Sequence, residues 1–267
     1  MNIKRKSIFW ISIIIFGLIV FSLLVQGKTE STNNLTVEVQ QLKSSYMLGE
    51  IVSLNIEIKN QSESDIYLFG TDVESGYLQI LISQDGNTFK KYSNSTWGNK
   101  NKRGKVIKPL EIIKSTATVL SNAVPGTSGL SDSAVLRFKD KQIMTVYAFQ
   151  EIGDYYLKVF LGIPSEDGNR EFESKPIKIT ITEPIGEDFQ VWNLIKDRGD
   201  FAYFIQNEDL VDFKSPEKQA KFQQDIEEIL NTYPNSFYAS SLRQSLDKFK
   251  ANEARLIEFQ KKVKAKP

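Results

Sequence analysis

Four carboxylates stand close together in the chain: Glu187, Asp188, Asp197 and Asp200. Paired carboxylates can hydrolyse glycosides, and clustered ones can hold calcium. These four lack the alternating oxygen ligands of a calcium loop, and acids at helix starts ordinarily serve the helix dipole. Asp72, Glu74 and Asp85 belong to turns. The chain has no histidine and no cysteine. Ser-His-Asp and Cys-His mechanisms, zinc–thiolate sites, disulfides and lipid attachment through cysteine are therefore excluded, which leaves carboxylate, lysine and tyrosine chemistry. No glycine-rich phosphate loop, dinucleotide fingerprint or metal motif occurs, so no catalytic residue, cofactor or metal is assigned.

Residues that bind rather than react are easier to name. Trp97 lies in the polar stretch Tyr92-Ser93-Asn94-Ser95-Thr96-Trp97-Gly98-Asn99-Lys100 and is the candidate binding residue, able to stack on a sugar or a partner or to fold back as packing. Lys100, Lys102, Arg103, Lys105 and Lys108 form one basic run, and Lys248 to Lys266 a second. Either can be a solvated face or touch anionic lipid or cell-wall polymer. Arg198-Gly199-Asp200 matches the tripeptide that integrins read, but it joins two expected helices and not an exposed loop tip. Asn34, Asn60 and Asn94 begin glycosylation sequons, meaningful only in a eukaryotic secretory pathway.

The elements that position these residues fall into three zones. Met1 to Lys6 is basic, and Ser7 to Val25 is uncharged and mostly apolar. Residues 1–27 read as a signal peptide cleaved after Gly27 or as a membrane anchor, an apolar helix in either case, with the remainder translocated. Removing Lys4, Arg5 and Lys6 leaves 31 basic against 33 acidic residues, so there is no drive toward nucleic acid. Residues 28–34 form a linker.

Residues 35–184 alternate apolar and polar side chains in many short runs. Val52 to Lys59 alternates without a fault, and Tyr155, Leu157, Val159 and Leu161 share one face of another run. Asp85-Gly86 marks a hairpin between Tyr77–Ile82 and Phe89–Tyr92. Strands are also expected at Ile66–Phe69, at Val106–Ile113, with Pro109 suggesting an edge, and at Thr116–Leu120. Ser121 to Ser133, with Pro125, Gly126 and Gly129, is expected to be a loop. This pattern predicts an antiparallel β-sandwich. Gly153 two residues before Tyr155 resembles the tyrosine corner of immunoglobulin-like sandwiches. The order of strands resembles bacterial extracytoplasmic immunoglobulin-like domains, although about 150 residues exceeds a simple module, and the excess lies in Ser83 to Ser133.

Residues 185–267 change to helical spacing. Phe189, Trp192 and Ile195 share a face; Phe201, Phe204 and Ile205 follow; Ser215-Pro216-Glu217 starts a helix that Phe222, Ile226, Ile229 and Leu230 continue. After Pro234, Asn235 is the expected cap of a last helix carrying Tyr238, Leu242, Leu246 and Phe249. Tyr233 to Leu242 resembles a junction between tetratricopeptide-like repeats, but a single junction implies a small helical bundle. The fold class expected is thus mainly β with a C-terminal α region. The expected role is a membrane-tethered or secreted envelope protein that binds or scaffolds a protein or cell-wall polymer. The alternatives are a carboxylate-dependent envelope hydrolase and an inhibitor or chaperone-like module that captures a peptide along an open edge, using the 121–133 loop.

Overall fold

The computed structural model describes residues 35–93, 104–125, 135–138, 141–165, 168–210 and 216–264. The N-terminal segment and linker, Trp97, and Lys100, Lys102 and Arg103 lie outside the described residues. Among the described residues no helix is long and apolar enough to cross a membrane.

The strands run in chain order as β1 (Leu35–Gln41), β2 (Ser45–Met47), β3 (Val52–Asn60), β4 (Ile66–Leu68), β5 (Leu78–Ser83), β6 (Lys90–Lys91), β7 (Lys105–Ile107), β8 (Ile112–Val119), β9 (Ser121–Pro125), β10 (Val135–Phe138), β11 (Lys141–Tyr147), β12 (Gly153–Ile163), β13 (Arg170–Glu173) and β14 (Ile177–Thr182). Among the described residues the helices that follow are α1 (Glu187–Ile195), α2 (Gly199–Asn207), α3 (Pro216–Thr232) and α4 (Phe237–Lys264).

One layer is the sheet β1-β3-β8; the facing layer is β2-β14-β12-β5-β6, with β13 also on β12. The period of two explains why they face each other. Val52, Leu54, Ile56 and Ile58 are wholly buried on the inner face of β3, and Leu157, Val159 and Ile179 meet them from the other layer. Among the described residues the strand pairings are antiparallel except β2 with β14, which run parallel (Thr180 opposite Ser45). The hairpin at Asp85-Gly86 forms: β5 pairs β6, and Gly86 takes φ +73°. Asp85 holds the turn. The Thr88 N–H, then the Ser83 hydroxyl, keep its carboxyl well below the usual carboxylate range.

Tyr155 makes a tyrosine corner. Its hydroxyl donates to the Glu151 carbonyl (3.1 Å) and accepts from Gln84 Nε2 (2.9 Å), fixing the approach to β12. Asn60 is another fixed corner, fully buried at the end of β3. Its Nδ2 donates to the Ser64 and Ile107 carbonyls, and its Oδ1 accepts from the Ser62 N–H and hydroxyl.

Three expectations about strands are corrected. Pro109 is in a turn between β7 and β8, and not within an edge strand. Ile112 to Val119 is one strand, because its register against β3 runs unbroken from Lys59 to Val52. Ser121–Pro125, expected as loop, is β9 and pairs β11 from Tyr147 to Ile143; Pro125 is tolerated at the strand end. The described part of the stretch between 83 and 133 holds β6, β7, β8 and β9, and β9-β11-β10 form a further sheet.

The helices share the strands' core. Trp192 stacks on Tyr238 (6.2 Å) and meets Tyr147 edge-on (4.8 Å), while the Tyr238 hydroxyl donates to the Leu48 carbonyl. Trp192 also lies over Gly49, where a β-carbon would overlap the indole and where φ is +72°. Helix α2 is buried from Gly199 to Ile205 and packs on β11 and β9. Gln206 locks it there: its Oε1 accepts from the backbone N–H groups of Leu120 (2.8 Å) and Ser121 (2.7 Å) and from the Tyr92 hydroxyl (3.0 Å). Two helical details differ from expectation. Val191, not Phe189, joins Trp192 and Ile195 in the core, and Phe189 is exposed. Ser236, not Asn235, caps α4, accepting from the Tyr238 N–H while its own hydroxyl donates to Asp188.

Candidate functional site

The sequence-predicted acids do not converge. Asp188 accepts from the Ser236 hydroxyl (2.8 Å) and the Phe237 N–H (2.7 Å), so it braces the start of α4. Asp200 is buried and held by Arg198 through Nε (3.0 Å) and Nη2 (2.8 Å); Arg198 also reaches Asp225 (3.1 Å). Glu187 and Asp197 are exposed. Among the described residues no three carboxylates stand close enough to hold a metal ion. The Arg198-Gly199-Asp200 tripeptide is folded onto itself, with Gly199 pressed on Thr145, so it is not presented. Among the described side chains of the basic runs Lys105 pairs Glu111 (3.1 Å) and Lys248 pairs Glu208, while Lys108, Lys250, Arg255 and Lys261 are exposed; Lys266 and the side chains of Lys262 and Lys264 lie outside what is described.

A hollow of about 600 Å³ opens at the tyrosine corner, between the β5–β6 hairpin and the turn before β12. Most of its polar groups are already committed to the fold. Tyr155 holds Glu151, Asp85 holds its turn, Tyr92 holds Gln206, and Asn122 accepts from the Ser93 N–H.

A different surface has uncommitted groups. In the two-stranded ribbon β4–β7, Ile66, Leu68 and Ile107 point inward and are buried, so Tyr67 and Phe69 must point outward. They are 49% and 40% exposed, far above what large aromatic side chains on a packed sheet show. Their rings meet edge to face at 5.0 Å and 89°, and Phe69 leans on Tyr77 at 5.4 Å and 33°. Glycine at 104 allows this arrangement, since a β-carbon there would overlap the Tyr67 hydroxyl. Asp72 fixes the following turn by accepting from the Ser75 N–H (2.8 Å), and Gly76 closes it at φ +79°.

Beside these rings, Ile163, Pro164 and Ser165 at the end of β12 and Arg170 and Phe172 on β13 enclose a hollow of about 310 Å³, with Asp65 at its rim. Among the described residues the side chains of Asp65 and Arg170 have neither a hydrogen-bond nor an ion-pair partner, although the Arg170 backbone is paired opposite Ile163. Phe172 also lines a groove of about 620 Å³ between β1 and β13, so the two depressions adjoin. The hollow thus combines apolar faces, one acceptor-only group, one donor-only group and a hydroxyl. Sequence reasoning found Ile66–Phe69 as a strand without seeing which side is uncovered; the outward Tyr-x-Phe spacing is the signal it carried. Trp97, singled out from the sequence, lies outside the described residues.

No protein-family model matches the chain, and no curated protein resembles it in sequence. Solved structures with local similarity include the CARDB domain of the PF1109 protein from Pyrococcus furiosus, at 10% identity over 59% of this chain and 100% of that one, TM-score 0.28. The C-terminal domain of Wzt is similar at 9% identity over 58% and 77% of the two chains, TM-score 0.33. A β-glucosidase from Erythrobacter marinus is similar at 11% identity, TM-score 0.27; the match takes in 56% of this chain but 15% of the glucosidase. At these scores the likeness carries no argument about what the chain does.

Proposed function

We propose that the chain is a binding module of the cell envelope, built on an immunoglobulin-like sandwich and braced by its helices. One observation carries the reading: Tyr67 and Phe69 are held outward with much of their rings exposed, beside Asp65 and Arg170, whose side chains have no partner among the described residues. Exposed aromatic and arginine side chains on a fixed scaffold are the usual anchors of recognition. The tyrosine corner and the β2–β14 parallel pairing support the immunoglobulin-like assignment. The apolar stretch Ser7 to Val25 supports tethering or export, with residues 28–267 outside the membrane. The hydrolase reading is the weaker one, because Asp188 and Asp200 are spent on holding α4 and Arg198.

The test is co-sedimentation of the full chain, held in a zwitterionic, sugar-free detergent, with envelope fragments that have been extracted free of lipid, so that the apolar stretch Ser7 to Val25 has no membrane to enter. The wild type is expected to pellet with them, and the double variant Tyr67→Ala/Phe69→Ala to stay in the supernatant at an unchanged melting temperature. Equal pelleting of both would remove this surface as the binding site.

A further inference from the structure

Resting on the binding reading above, we infer that the Tyr67–Phe69–Arg170 hollow takes an uncharged pyranose unit of a polysaccharide. The apolar part of the hollow fits the C–H face of a sugar ring. Tyr67 and Phe69 stand at right angles, so a ring lying on one meets the edge of the other, and the electron-rich aromatic face attracts the weakly positive C–H groups. The polar part fits hydroxyls. Asp65 only accepts, Arg170 only donates, Ser165 does both, and a sugar hydroxyl is itself donor and acceptor.

Charge and size narrow the choice further. Within the hollow Asp65 and Arg170 cancel, so a charged unit seated there gains no net attraction, whereas an uncharged polyol uses both groups. The hollow, at about 310 Å³, is at the small end of ligand sites. A protein partner would need roughly 800 Å² of this surface, and Asp65 and Arg170 on its rim would be left to be desolvated. Continuity through Phe172 into the groove beside β1, where Thr36, Gln40 and Lys175 and the carboxylates Glu38, Glu171 and Glu173 offer further hydrogen-bonding groups, favours a polymer over a free monosaccharide, and those carboxylates disfavour a polyanion.

The experiment is affinity electrophoresis of the full chain in a zwitterionic, sugar-free detergent. Native gels contain an uncharged β-glucan, α-glucan, galactomannan or chitin oligomer, with hyaluronate and polygalacturonate as anionic comparisons. Retardation by at least one uncharged polymer, unchanged in 0.5 M salt (a concentration of about this order screens surface charge), is expected. Tyr67→Ala and Phe69→Ala should each weaken it about tenfold, the worth of one stacked ring, and Tyr67→Phe should keep it. Arg170→Met should weaken it without moving the melting temperature. Retardation only by the anionic polymers, lost in salt, overturns the inference. No retardation in any gel also overturns it; if the Tyr67- and Phe69-dependent co-sedimentation survives, the binding reading stands with a non-glycan ligand, and if that is absent too, both fall.

Discussion

Gly199 lies so close beneath Thr145 that a β-carbon at position 199 would overlap the Thr145 carbonyl oxygen. This is where the first buried turn of α2 touches β11. The backbone of β11 has no room to retreat, because β9 and β10 hold it on both sides.

Gly199→Ala is therefore expected to cost about 3 kcal/mol or more, since overpacking against backbone cannot be relieved by a rotamer change. Urea denaturation of the variant checks this. A midpoint within error of the wild type would mean that α2 can slide on β11.

Gln206 Oε1 accepts from two buried backbone N–H groups and from the Tyr92 hydroxyl, which also donates to the Ser121 carbonyl (2.8 Å). Gln206→Ala should destabilise by about 2–4 kcal/mol, mostly from donors left unpaired. Combined with Tyr92→Phe the losses should not add, because both variants break one network. Additive losses in a double-mutant cycle would separate them.

Tyr147 offers the opposite case. Its hydroxyl is buried against Trp192 and α2 without a hydrogen-bond partner, and so is the Thr145 hydroxyl. Removing an unpaired buried group relieves its desolvation cost. Tyr147→Phe is expected to stabilise by about 1 kcal/mol, roughly 2–4 °C in melting temperature. A drop of that size would reveal a bond that the hydroxyl makes in solution.

Burial lifts the phenols of Tyr92, Tyr147 and Tyr238 above their ordinary value of 10.0; nearby Asp200 adds to the effect on Tyr147, and Asp188 to that on Tyr238. A raised folded value means that the stabilisation is complete below about pH 10, the unfolded tyrosine value, and is lost as pH rises through the folded values. The melting temperature should fall steeply above that pH. In a 295 nm titration these three of the ten tyrosines should ionise only with unfolding. Smooth titration of all ten while the fold persists would contradict their burial.

Much of the fold was legible because the strands with the strongest alternation, β3 and β12, lie at the centres of the two layers. Their inner faces are Val52 to Ile58 and Tyr155 to Leu161, and nothing local competes with that period. β9 was not legible. Ser121, Asn122 and Pro125 are turn residues by local preference, and only pairing with a strand about twenty residues later decides otherwise. The choice between Asn235 and Ser236 as cap was invisible for the same reason, since Asp188, far away in the chain, selects the serine. The binding surface was half visible. Tyr67 and Phe69 read as two apolar residues of a strand, and no period shows that β4–β7 forms a narrow ribbon whose outward rings stay largely exposed.

The knot of bonds around Asn60 also bears on how the protein can be produced. Asn60-Gln61-Ser62 is a sequon, and oligosaccharide is added to nascent chains before such corners close. A sugar on that nitrogen would displace its bonds to Ser64 and Ile107 and wedge β3 apart from β7. Secretion from yeast or animal cells would thus trap molecules that never mature, whereas hosts without such glycosylation would deliver the native form.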